Sequence, residues 1–205
     1  MAAHVARRRI LRRSRTAFTL LEAMLAISLT AVAGGAMMLG IASAATSTQD
    51  AVDLTIAQGM AQQLIDEIAG KRYSAPGAGG YQLPLSPNAY EEAGVDRERY
   101  DDLDDYVAYS CSPPKDQWGV LLGADNGVGG TRHSALQATS AFSSWSVQVQ
   151  VYYARNTNLS QAASSGTTSN FRAIEVKVFK TDPLRGQKLI TSLRRVVAYI
   201  PNPNT

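Results

Sequence analysis

Groups that carry covalent or metal chemistry are scarce in this 205-residue chain, which has one cysteine, Cys111, and two histidines, His4 and His133. A single cysteine excludes an internal disulfide, and a buried free thiol is the expected state of Cys111, ahead of a bond to a second chain. Two histidines are too few for a zinc site or a nucleophile triad. Phosphate-loop and dinucleotide fingerprints are missing as well, because Gly127-Val128-Gly129-Gly130 is too loose and follows no clear strand. The expectation is therefore a protein that is not an enzyme and needs no cofactor. His133 and Cys111 are read as incidental to one another, and Trp118 and Trp145 as core or strand residues.

Charge is also sparse, at 18% of residues against 45% hydrophobic, which fits an ordered chain with one moderate domain and an extension. The formal charge of +3 conceals an uneven distribution. Six arginines (Arg7, Arg8, Arg9, Arg12, Arg13 and Arg15) crowd the N-terminus, and the remainder is mildly acidic. A nucleic-acid-binding arm normally leads into a polar or globular region. This arm leads into an apolar run, so a cytoplasmic anchor before a membrane helix is expected, and no nucleic-acid partner.

Residues 16–48 read TAFTLLEAMLAISLTAVAGGAMMLGIASAATST, with Glu22 the single ionisable side chain. As a helix, residues 18–45 would extend about 42 Å, enough to cross a hydrocarbon core of ~30 Å. The arginines would hold its N-terminus in the cytoplasm, and the chain beyond the helix would be exported. Glu22 is the anomaly. A carboxylate at a membrane-helix centre costs ~2.5–3.5 kcal/mol, and less near an interface. Glu22 can gain from the helix N-terminal dipole, or from a positive charge that a neighbouring chain presents at the same depth.

The run Thr16-Ala17-Phe18-Thr19-Leu20-Leu21-Glu22-Ala23 resembles the N-terminal motif of type IV prepilins and type II secretion pseudopilins. The resemblance implies that a prepilin peptidase cuts between Ala17 and Phe18 and methylates the new amine of Phe18. It makes Glu22, fifth from the new terminus, the assembly glutamate, compensating the amine of a neighbouring subunit in low dielectric. The family usually carries glycine where this chain has Ala17; alanine is small enough for the peptidase subsite, so slower processing is expected. Implied partners are the prepilin peptidase, other pilin or pseudopilin subunits and the inner membrane. The resemblance covers residues 7–45 closely and the remainder only in architecture.

An ordinary secretory signal cut after Ala42-Ser43-Ala44 is the main rival. Its usual apolar region of about 7–15 residues is half as long as this one, and a glutamate near its start is out of place. Within the run, Ala31 with Gly35 and Ala36 with Gly40 place small residues four apart, which lets helices approach closely. Gly34-Gly35 weakens the helix locally, by about 1 kcal/mol per glycine.

Beyond the apolar run, Leu54, Ala57, Ala61, Leu64, Ile65 and Ile68 fall on one helical face, with Asp50, Asp53, Gln62 and Asp66 mainly elsewhere. Gly70 is the expected stop. One helix is thus predicted over residues 18–69, about 78 Å long, a leader over 1–17, a transmembrane and assembly half over 18–45 and an amphipathic half over 46–70. Residues 71–205 are expected to form a loop-rich periplasmic sheet domain, with irregular connections over 74–94 and 123–140.

Alternation marks strands at residues 145–153 and 174–178, and a third at 188–200 after a turn over 182–186. A polar link over 156–170 joins the first two, and a fourth strand is possible over 106–110. The predicted class is α+β: a long helix whose amphipathic half packs on an antiparallel sheet of three to four strands, the other face in water. Residues 96–106 are dense in carboxylates. Asp101, Asp102, Asp104 and Asp105 are a weak calcium candidate, since the spacing is not an EF-hand loop; a solvated acidic loop is the blander expectation. The long loops and lone cysteine point to a minor subunit of a type IV pilus or type II secretion pseudopilus, with a secreted or membrane-anchored binding module as the alternative.

Overall fold

Helix α1 occupies Leu20–Ala69 in the computed structural model, which describes residues 19–201. The basic leader, Ala17 and Phe18 lie outside the described residues. Thr19 begins the helix: the Glu22 N–H donates to its Oγ1 (3.3 Å) and the Ala23 N–H to its carbonyl (3.1 Å). No proline interrupts residues 20–69, and the abundant Ala, Leu and Met carry the helix unbroken through Gly34-Gly35. It stops where expected, with the Gly70 N–H bonded to the Asp66 carbonyl at 3.1 Å.

The chain divides into two units, Met1–Gln49 and Asp50–Thr205. In the first, residues 19–49 are exposed throughout except for the half-buried Ala23. In the second, the buried side chains of α1 are Asp53, Ala57, Met60, Ala61, Leu64, Ile65 and Ile68. Leu54, expected on this face, is 41% exposed, and Asp53, expected off it, is buried. Helical spacing admits both; the Lys180 ammonium, 2.6 Å from Asp53 Oδ2, decides for Asp53.

Five antiparallel strands form the sheet: β1 (Ser110–Cys111), β2 (Trp145–Arg155), β3 (Asn158–Ala162), β4 (Phe171–Asp182) and β5 (Gly186–Ala198). The order is β1-β2-β4-β5, with β3 paired to β2. This exceeds the three to four strands expected. The difference is β3, within the polar link over 156–170: its all-exposed NLSQA run has no buried face, and pairing with β2 alone defines it. The candidate strand at 106–110 is reduced to β1, because Asp104–Tyr106 forms a 3₁₀ turn. The β4–β5 turn lies where expected, with Asp182 Oδ1 accepting the Leu184 and Arg185 N–H groups (2.8 and 2.9 Å) and Gly186 at φ +78°.

Trp145, Val147, Val149 and Val151 of β2 share one core with Ile174, Val176 and Val178 of β4 and with the buried face of α1. Gln150 is exposed on the reverse face, with Gln148, Glu175 and Lys177 half-exposed, so alternation along β2 and β4 sets both faces. Cys111 is a buried free thiol, as expected, and donates to the Pro113 carbonyl. Trp118 departs from its expected place: it is 36% exposed in a loop and lies over Gly129.

Two short helices, α2 (Ala89–Glu92) and α3 (Thr139–Phe142), punctuate the connections. The stretch over 123–140 is less loose than its composition implies. Gly123, at φ +84°, brings its backbone so close to Ala138 that a Cβ would lie 2.8 Å from the Ala138 carbonyl carbon.

Candidate functional site

Two regions carry the residues singled out in the sequence. In the N-terminal unit, eleven large apolar side chains from Leu20 to Ile41 are exposed, each by more than half. They lie on all sides of the helix, so no stripe is left to face a soluble core. Burying them is worth on the order of 15–30 kcal/mol at ~1.5–3 kcal/mol each, far more than a protein's net stability. Four hydroxyls here close on their own helix. Thr30, Thr46 and Thr48 hydroxyls donate to the carbonyls of Ala26, Ser43 and Ala44 at 2.7–2.9 Å, and Ser28 to that of Met24. Self-satisfied polar groups are what a hydrocarbon environment demands. By length and composition, α1 can cross a membrane.

Glu22, the one acid of this run, sits exposed in the first turn of α1, where the helix dipole favours negative charge. Ala31, Gly35, Ala36 and Gly40 also lie on this exposed helix, and a Cβ added at Gly34, Gly35 or Gly40 would meet nothing within 4 Å. The chain itself thus gives these glycines no packing reason.

The second region is the acidic loop. It is not the solvated loop expected: Asp102, Asp104 and Asp105 are 1–2% exposed. Long-range cations explain part of this. Arg172 of β4, fully buried, donates from Nη1 to Asp104 Oδ1 (3.1 Å) and to the Tyr73 carbonyl, and its guanidinium stacks 4.4 Å over the Tyr73 ring. Arg97 makes a two-pronged pair with Glu67 of α1 (2.9 and 3.1 Å), and Tyr106 donates to the same carboxylate at 2.9 Å. Burial first, and the Glu67 charge second, push the Tyr106 hydroxyl well above its ordinary range. Asp96, held at φ +56°, accepts from Tyr109 (2.7 Å) and meets Lys115 at 3.3 Å.

The expected quartet of aspartates is regrouped. Asp104 leaves it to pair with Arg172, and Glu91 of α2 enters: Glu91, Asp101, Asp102 and Asp105 each bring a carboxylate oxygen within 4.8 Å of the others. Local chemistry aims them. The Asn88 N–H donates to Glu91 Oε2 (2.6 Å) while Asn88 Oδ1 accepts from Tyr90 and Glu91 N–H groups, a reciprocal capping box. Asp105 Oδ2 accepts from the N–H groups of Asp101 (2.8 Å) and Asp102 (3.1 Å), and Asp102 Oδ1 from that of Asp104 (3.0 Å). Arg72 meets Asp101 at the outer side, where both are half-exposed.

Burial, with the neighbouring acids adding to it, pushes the Asp102 carboxyl up to about 8. Burial and the adjacent Glu91 push Asp105 to about 7, against the pull of two backbone N–H groups. Sequence reasoning missed Glu91 and Arg172. The Asn88-x-x-Glu91 spacing was a usable signal for the cap; nothing local marked Arg172. His133 is exposed and its Nδ1 accepts the Ala135 N–H, remote in role from the buried Cys111.

The architecture is thus α+β, a long apolar N-terminal helix with a five-stranded antiparallel sheet. Compared with protein-family models, curated proteins and solved structures, the chain matches none.

Proposed function

We propose that the chain is the precursor of a type IV pilin-like or pseudopilin-like subunit, anchored in a bacterial inner membrane and assembled into a filament through α1. The observation that carries this reading is the all-round apolar surface of residues 20–41, interrupted by one carboxylate, Glu22, in the first helical turn. A secreted soluble protein has no use for so large an unsatisfied surface. A membrane would cover it first, and the helices of neighbouring subunits would cover it in the filament.

In this reading prepilin peptidase cuts between Ala17 and Phe18, the Phe18 amine is methylated, and Glu22 of an incoming subunit pairs with that amine. Ala31, Gly35, Ala36 and Gly40 allow close helix approach. Residues 50–205 stand outside the cytoplasmic membrane as the surface domain of a minor subunit, with a structural rather than a catalytic role.

The test is the N-terminal sequence and mass of the protein from cells with and without prepilin peptidase. A chain that starts at methylated Phe18, and stays uncut without the peptidase, supports the proposal. A start at Ala45, or no cut in either cell, overturns it and leaves a secreted or anchored binding module. In the filament reading, Glu22→Ala leaves the protein processed and folded but lowers its recovery in sheared filaments at least tenfold.

A further inference from the structure

We propose that Glu91, Asp101, Asp102 and Asp105 bind one calcium ion. Three of the four, Glu91, Asp102 and Asp105, are at least 95% buried, and none of the salt bridges among the described residues reaches them. Arg172, the buried cation nearby, is taken up by Asp104, and Arg72 meets only Asp101. Buried carboxylates persist when they are paired, protonated or coordinated to a metal. A second observation points to coordination: Asp102 turns into this cluster, yet its buried Oδ2 has no hydrogen-bond partner. An oxygen without a donor, among other carboxylate oxygens, is the counterpart of a cation.

The donor set favours calcium over magnesium. Ca²⁺ takes about 6–8 oxygens and accepts several carboxylates, whereas Mg²⁺ keeps most of its waters and is held by about one or two. The four oxygens here lie within 4.8 Å of one another, close enough to share one ion. All donors are hard oxygens, with no histidine or cysteine to favour a transition metal. The carboxylates are also pre-aimed. Glu91, Asp102 and Asp105 each have one oxygen held by backbone N–H groups, which orients the side chain. The ion would join α2, the loop strand beside Arg72 and the 3₁₀ turn at Asp104–Tyr106. The proposed function contributes only the compartment, since calcium is abundant outside the cytoplasm. Binding by purified protein is independent of filament assembly, so the two readings fail separately.

The experiment is titration calorimetry and thermal unfolding of the full chain in detergent, stripped with EGTA, then given CaCl₂ or MgCl₂. One Ca²⁺ per chain is expected, and at about a hundredfold excess over Kd the Tm should rise by about 5–10 °C. Glu91→Gln keeps a carbonyl for the Asn88 N–H, and with it the cap, and should weaken calcium binding at least tenfold. Asp102→Asn should melt no lower than the parent in EGTA, because a neutral amide of the same shape replaces a buried ionisable carboxyl, and should lose the calcium shift. Absence of binding heat and of any Tm shift at about 10 mM calcium, beyond the range of known extracellular sites, overturns the proposal. So does an equal shift with magnesium, or a calcium shift that survives Glu91→Gln combined with Asp102→Asn.

Discussion

The two halves of α1 share one backbone and little else. Residues 20–49 present apolar side chains all round as far as Ile41, close four hydroxyls on their own carbonyls and touch no core. Residues 50–69 bury a single face on the sheet and reach out from it with charges: Asp53 to Lys180, Asp66 to Arg195 and Glu67 to Arg97. The first half is specified by its surroundings and the second by its contacts. Changes in the first should therefore alter where the protein goes, and changes in the second how stably it folds.

The largest effect should come from the sheet unit. Arg172→Ala leaves Asp104 buried without its cation and is expected to cost about 3–5 kcal/mol in urea unfolding, with membrane retention unchanged. In the apolar half, Val32→Asp should add ~2.5–3.5 kcal/mol to membrane insertion. In the proposed membrane anchor this offsets only part of the ~15–30 kcal/mol of apolar burial. Fractionation should therefore show weaker retention than the parent under alkaline extraction, while the sheet unit keeps its melting transition. A variant that changed both readouts would break the comparison.

A smaller and reversible loss is expected with pH. Asp102 and Asp105 hold protons in the folded state up to about 8 and about 7, whereas the unfolded chain releases them near 3.8. The folded state binds more protons, so this stabilisation is full below the unfolded value and is lost as pH rises through the folded ones. Glu91, Asp101 and Asp104 face the same cluster from α2 and the loop, with Arg72 the opposing charge at its rim. In EGTA the Tm should fall between about pH 4 and about pH 8; a flat profile would mean that the acids are already compensated.

Asp53→Ala removes the partner of Lys180, which is partly exposed and can rehydrate, so about 1 kcal/mol is expected. Arg195→Ala breaks a pair that is half-exposed on both sides and should cost less than about 0.5 kcal/mol, sharpening the contrast between exposed and buried charge.

Much of the frame is legible in the residues alone. The stop at Gly70 and the long strands β2, β4 and β5 come from periodicity and turn residues, which act over a few neighbours. Strand β3 is not legible, because a short polar run shows no alternation and exists through its pairing with β2. The acidic loop misleads for a related reason. Carboxylates in sequence look solvated, and here Arg172, 68 residues from Asp104, and the Arg97–Glu67 pair, 30 residues apart, bring the loop inside.

The sequence by itself thus determined an apolar helix, its single acid and the alternating strands, because hydropathy and spacing are local properties of the chain. Only the tertiary structure decided that Asp53 is buried, that Asp104 belongs to Arg172 and that Glu91 joins Asp101, Asp102 and Asp105. Burial of a charge depends on a partner supplied from elsewhere in the fold, and that partner has no signature in the residues beside it.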